Sequence, residues 1–241
     1  GRYAGGSVDA TALPPSDRFH GEAQLRLIDA GALAEAPFAD GKGAALVAAR
    51  YSYTAALFSL LSSDTTLDYR DYQARVSYAL SERDTISMLG FGSYDFAAQR
   101  QVIDPSTQPI FVDPGASREP REVSRVLFAS EFHRGDVRWD RALSNGGHMR
   151  TAVTVGFDRT RVEARRAATD VMTGARFELE QPLSKNALLR AGADVVVDQY
   201  TADALPAFSD DDDVVIRQRS VFVDRVDFAT GARVDAVLTM I

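Results

Sequence analysis

The strongest regularity in the chain is strict alternation of apolar and polar positions. Between Tyr72 and Leu80, the residues Tyr72, Ala74, Val76, Tyr78 and Leu80 point one way, while Gln73, Arg75, Ser77 and Ala79 point the other. A period of two is the spacing of a β-strand with one apolar and one polar face. The pattern recurs over Phe19–Ile28, where Phe19, Ala23, Leu25 and Leu27 oppose His20, Glu22, Gln24 and Arg26. It recurs over Met149–Phe157, where Val153, Val155 and Phe157 oppose Arg150, Thr154 and Asp158, and over Leu189–Val197, where alternate Leu, Ala and Val residues oppose Arg190, Gly192 and Asp194. Weaker strands are predicted at Ala44–Tyr53, Thr85–Phe96, Val123–Leu143, Val171–Glu180, Val221–Asp227 and Ala232–Met240. In Val123–Leu143 the apolar parity changes from even (Val126, Phe128) to odd (Val137, Trp139), which predicts a bulge at Gly135. Helix signals are almost absent; Tyr53–Leu61 reads as a short helix or a loop.

Three short turns open on the same Leu-Ser pair: Leu80-Ser81-Glu82-Arg83, Leu143-Ser144-Asn145-Gly146 and Leu183-Ser184-Lys185-Asn186. Between them lie long polar connections, Ala97–Glu122, Thr201–Ser220 and Ser62–Arg70. Tight turns at one end and long loops at the other predict an all-β fold, an antiparallel up-and-down meander forming part of a transmembrane β-barrel, open or incomplete in this chain. The tight turns would face the periplasm and the long connections the exterior. The polar faces carry charges of both signs, Glu22 with Arg26 and Arg190 with Asp194, as suits a hydrated lumen. Arg26, Arg75, Arg150, Arg190 and Asp194 are candidate lumen-facing residues, with Arg138, Arg176, Glu22, Asp140 and Glu178 beside them. Their simplest role is a wall held by cross-strand ion pairs; the alternative is contact with a passing substrate. Aromatic residues near strand ends (Phe19, Tyr51, Tyr53, Tyr72, Phe157, Tyr200) suit interfacial girdles. A soluble sandwich or jelly roll alternates too, and would bury the apolar face against a second layer.

Composition changes this picture little. The chain has 241 residues, 45% hydrophobic and 25% charged, which fits a globular protein and a barrel equally. A net charge of -7 argues against nucleic acid, which needs a basic surface. The absence of cysteine excludes disulfides and thiolate metal sites. No apolar run approaches the ~20 residues of a membrane-spanning helix. The opening Gly1-Arg2-Tyr3-Ala4-Gly5-Gly6 has neither an initiator Met nor the apolar core of a signal peptide, and suggests an internal piece of a longer chain.

No catalytic constellation emerges, so an enzyme is not expected, nor is a cofactor or metal. Asp210-Asp211-Asp212-Asp213 lacks the ligand spacing and turn Gly of a calcium loop and reads as a solvated acidic stretch. His20, His133 and His148 fall in three separate strands without zinc-site spacing. Ser52 and Ser77 lack a nucleophile-elbow context, and neither Gly90-Phe91-Gly92 nor the opening glycines make a phosphate loop.

The opening Gly1-Arg2-Tyr3-Ala4-Gly5-Gly6-Ser7-Val8-Asp9-Ala10 resembles the close of the plug domain in TonB-dependent outer-membrane receptors, and Phe19-His20-Gly21-Glu22 resembles their first barrel strand. Arg50-Tyr51-Ser52-Tyr53, Tyr69-Arg70-Asp71-Tyr72-Gln73 and Gly92-Ser93-Tyr94-Asp95 resemble the early barrel hairpins. The resemblance implies residues 1–17 as the end of a plug and linker, and residues 18–241 as a partial barrel. It further implies an outer-membrane receptor and transporter for a scarce ligand, such as a siderophore or an oligosaccharide, driven by a TonB-type energy transducer. The chain departs from the family pattern in lacking most of the plug, the TonB-engaging segment, more than half of a barrel of about twenty-two strands, and the terminal aromatic, since it ends Val237-Leu238-Thr239-Met240-Ile241. The alternative functional class is a soluble or secreted β-sheet protein for adhesion or carbohydrate binding.

Overall fold

The computed structural model describes residues 16–54, 64–103, 121–162, 166–204 and 223–238. The described residues form ten strands: β1 (His20–Leu25), β2 (Asp29–Phe38), β3 (Gly43–Ser52), β4 (Thr65–Ala79), β5 (Asp84–Ile103), β6 (Arg121–Ala142), β7 (His148–Val162), β8 (Arg166–Ser184), β9 (Ala187–Ala204) and β10 (Arg225–Leu238). They lie in one sheet in sequence order, β1 to β10, each antiparallel to its neighbours. The predicted up-and-down meander is therefore the observed fold. The sheet does not close on itself, so β1 and β10 are its edges, an arrangement consistent with part of a barrel.

Register fixes the faces, because residues opposite one another across an antiparallel ladder share a side of the sheet. One row runs Ala36, Ala45, Val76, Met88, Val137, Val153, Ala175, Val195 and Thr230 from β2 to β10. The row beside it on the opposite face runs Glu35, Leu46, Arg75, Leu89, Asp136, Thr154, Gly174, Val196 and Ala229. Alternation along each strand thus becomes one continuous apolar face and one mainly polar face. Neither is covered. Val47 is 58% exposed and Val155 53%, and Ala44, Ala98 and Ala129 are the only buried apolar side chains among the described residues.

Four tight connections share one end of the sheet: Ala39–Lys42, Leu80–Arg83, Leu143–Gly147 and Lys185–Asn186. The three Leu-Ser turns therefore fall together as predicted. Left-handed backbone at Gly41 and Gly146 closes two of them, with Gly146 N–H donating to Leu143 O at 3.1 Å. Of the connections at the other end, β5–β6 and β9–β10 are long in sequence, but β1–β2 (Arg26–Ile28) and β7–β8 are short. Thr65–Arg70, Ala97–Ile103 and Thr201–Ala204, expected in loops, belong to strands that outrun the predicted bounds.

Three details differ from the alternation pattern. The pattern does not predict β2 as a strand: its two alternating sets, Ala30, Ala32, Ala34 and Ala36 against Gly31, Leu33, Glu35 and Pro37, offer little hydrophobic contrast. The parity change in β6 arises at Leu127, between Val126 paired with Ala98 and Phe128 paired with Ala97; Gly135 pairs regularly with Gly90 and Val155. The two predicted C-terminal strands are one, β10, running without interruption through Thr230-Gly231. The opening segment 1–15, the Asp210–Asp213 run and most of Tyr53–Leu61 lie outside the described residues.

Candidate functional site

The polar face is where chemistry gathers. Arg50 and Asp71 are direct cross-strand partners on β3 and β4, and Arg50 Nη2 sits 2.6 Å from Asp71 Oδ2. Arg75 on β4 reaches over Leu46 to Glu35 on β2, Nη2 to Oε1 2.9 Å, and Glu35 also accepts the Ser16 N–H at 3.1 Å. Side-chain exposure at this pair is 11% and 12%, against 55% and 39% at Arg50–Asp71. On β6 to β8, Asp140 collects Arg150 (2.7 Å), His148 (3.2 Å) and Arg138 (3.8 Å), and Arg150 extends to Glu178 at 3.9 Å. Arg134 lies over Gly156 and binds Asp158 at 2.6 Å, a path open because Gly156 has no Cβ there. Thr154 donates to Asp136 at 2.8 Å, and Arg190 binds Glu180 at 2.9 Å. Opposite charges on neighbouring strands are the stabilising arrangement on a sheet surface.

Of the sequence-predicted residues, Arg75, Arg150, Arg190 and Asp194 all lie on this face, spread over β4, β7 and β9 and not converging on one point. Arg26 lies past the end of β1, in the turn to β2. Its guanidinium donates to Gln24 at 2.7 Å, and its carbonyl accepts from the Tyr53 hydroxyl. Gln24 links the two charges: its amide donates to Glu22 and its carbonyl accepts from the Arg26 guanidinium.

The face also holds an apolar cluster that the alternation pattern does not reveal: Leu33, Leu46, Leu89, Phe91 and Phe132. Phe91 and Phe132 meet edge to face at 6.0 Å between ring centres, and Arg134 stands over Phe132 at 5.8 Å. With Glu22, Gln24, Arg50, Asp71, Gln73 and Ser93 these rings line an open concavity of about 570 Å³. The signal in the sequence is a parity violation: Phe91 is odd in a strand whose apolar set is even. The concavity offers stacking surface, amides, carboxylates and the Ser93 hydroxyl, which donates to Asp95 at 3.4 Å. Among the described residues no three metal-ligating side chains come together; His20, His133 and His148 lie on β1, β6 and β7.

No protein-family model and no curated protein matches the chain.

Proposed function

We propose that the chain is wall from an outer-membrane β-barrel, in a receptor and transporter resembling the TonB-dependent class. The apolar face would meet membrane lipid and the polar face a hydrated lumen. Arg26, Arg75, Arg150, Arg190 and Asp194 would line that lumen, where a small-molecule or oligosaccharide ligand passes and a TonB-type transducer supplies energy. One observation carries the membrane reading: a continuous apolar face, uncovered by any described residue, with charges at both margins. On β6 the apolar-face set Trp139, Val137, Gly135 and His133 is bounded by Arg141 below and Glu131 above. That interval is about 33 Å along a strand at ~3.3 Å per residue, or about 25 Å of depth at a tilt of roughly 40°, the height of a barrel's lipid-facing band. Trp139 lies near the lower margin, where its indole donates to Asp84 at 3.1 Å, as interfacial tryptophans do. The receptor role rests on the resemblance and on the lining of the concavity.

The test uses Trp139, the single tryptophan. Folded into vesicles with brominated acyl chains, the protein should lose most Trp139 fluorescence, more with bromine near the headgroup than near the bilayer centre. A water-soluble adhesion sheet would fold without amphiphile and show no quenching, and that outcome would replace the barrel reading.

A further inference from the structure

Above the apolar belt, at the end of the sheet opposite the four tight turns, β7 places two arginines on the apolar face. Arg159 and Arg161 follow Val155 and Phe157 on the same side. They stand about 7 Å apart, two residues along a strand. Across the ladders Arg159 faces Glu131 and Thr169, and Arg161 faces Ala129 and Ala167. Glu131 turns toward His133, at 3.8 Å. Neither arginine forms an ion pair with a described carboxylate, and Arg159 Nε is shut off from solvent without a hydrogen-bond partner. On the polar face, by contrast, Arg75, Arg134, Arg150 and Arg190 each hold an acid within 2.9 Å.

We infer that Arg159 and Arg161 bind the phosphate of an anionic lipid in the leaflet at that end of the sheet. The inference rests on the membrane reading above. A guanidinium on the lipid-facing side at the belt's margin lies at headgroup depth, where its stem stays in the apolar layer and its fork in the polar one. The fork matches phosphate oxygens two at a time. A carboxylate neighbour would compete, and among the described residues the one that faces the pair, Glu131, is directed toward His133. Arg70 shares the register row but is engaged over the Tyr94 ring at 4.8 Å, and Arg100 on β5 faces Glu122 at 3.8 Å, so among the described residues the β7 pair is the available site.

The experiment is electron spin resonance of spin-labelled lipids in phosphatidylcholine vesicles holding the protein. Spin-labelled phosphatidic acid should enter the motionally restricted shell in preference to labelled phosphatidylcholine, by roughly fivefold for each arginine, the fold-change of ~1 kcal/mol per interfacial arginine. Arg159→Gln/Arg161→Gln should bring the two labels close to parity, and Arg161→Gln alone carries the comparison should the double variant fail to insert. Arg134→Gln/Arg138→Gln, which removes the same charge from the polar face, should keep the preference. A restricted shell without preference in the wild type, or equal loss in both double variants, overturns the lipid site and leaves the membrane reading standing. No restricted shell for either lipid overturns the membrane reading, and the lipid site with it.

Discussion

The two faces of this sheet are built from the same strands, one residue out of phase, and solve opposite problems. On the apolar face, side chains are mainly aliphatic or aromatic, include no Asp, Glu, Lys or Arg between the margins, and meet chiefly through rings such as Phe38–Tyr78 and Tyr72–His133. On the polar face nearly every row contains an ion pair or a hydroxyl–carboxylate bond between neighbouring strands. The apolar face would be held by what surrounds it and the polar face by what it holds. The difference is visible within single strands: Val153 and Val155 project beside Thr154, which is bound to Asp136. Substitutions that swap the demands of the faces are therefore the most direct way to break the comparison.

The largest effect should come from one charge tried on two adjacent residues. Val195 lies on the apolar face between Ala175 and Thr230; Val196 lies on the polar face between Gly174 and Ala229. Val195→Arg should cost roughly 2–4 kcal/mol of folding into bilayers. Val196→Arg should cost under about 1 kcal/mol, since water, room beside Gly174 and nearby carboxylates accommodate it. Urea titrations of vesicle-embedded protein measure both. Equal costs would mean that the faces do not differ in environment and that the membrane reading is wrong.

The same phase relation explains how much of the fold is legible in the sequence. Period-two alternation survives translation into space wherever the apolar set is large, as at Tyr72–Leu80 and Leu189–Val197, so β4, β7 and β9 are plain. β2 is hidden because alanine is only marginally apolar and a poor strand former, and Pro37 argues against a strand. The parity slip in β6 is legible but its position is not: glycine is the usual suspect for a bulge, whereas the ladder slips at Leu127. Thr230-Gly231 looks like a turn, yet Val226, Phe228, Ala232 and Val234 keep one parity across it, which is the better guide. The lumen candidates are legible as a face, because parity alone assigns Arg75, Arg150, Arg190 and Asp194. The Phe91–Phe132 contact is not, since it depends on which strands are neighbours.

Glycines sharpen the comparison at a smaller scale. On the apolar face Gly92 sits between Tyr72 and His133, whose rings stack at 5.8 Å and whose hydroxyl and Nδ1 bond at 2.8 Å. A Cβ at Gly92 would stand 2.6 Å from both His133 Nδ1 and the Phe132 carbonyl oxygen. Backbone cannot step aside, so Gly92→Ala should cost about 1–3 kcal/mol, the range for overpacking. On the polar face a Cβ at Gly156 would meet the Arg134 side chain at 3.1 Å. That chain is flexible and can lift, so Gly156→Ala should cost less than Gly92→Ala, with the Arg134–Asp158 pair weakened. Thermal unfolding in one detergent compares the two; the reverse order would show that the Tyr72–His133 contact does not fix the β4–β5–β6 ladder.

The smallest effects separate two ion pairs within the polar face. Arg75–Glu35 is mostly shielded, and removing the guanidinium leaves the Glu35 carboxylate with the Ser16 N–H. Arg75→Met should cost about 1–2 kcal/mol, less than a fully buried pair because the face is hydrated. Arg50–Asp71 is closer in distance but far more exposed. Solvent screens it, so Arg50→Met should cost roughly 0.2–1 kcal/mol and lose most of that in 1 M salt. The Arg75 effect should persist in the same salt, because shielded charges are screened less. A double-mutant cycle with Glu35→Gln and Asp71→Asn isolates each coupling energy. Coupling that ranks by distance and ignores exposure would mean that the polar face is dry, and a dry face cannot be the wall of an open lumen.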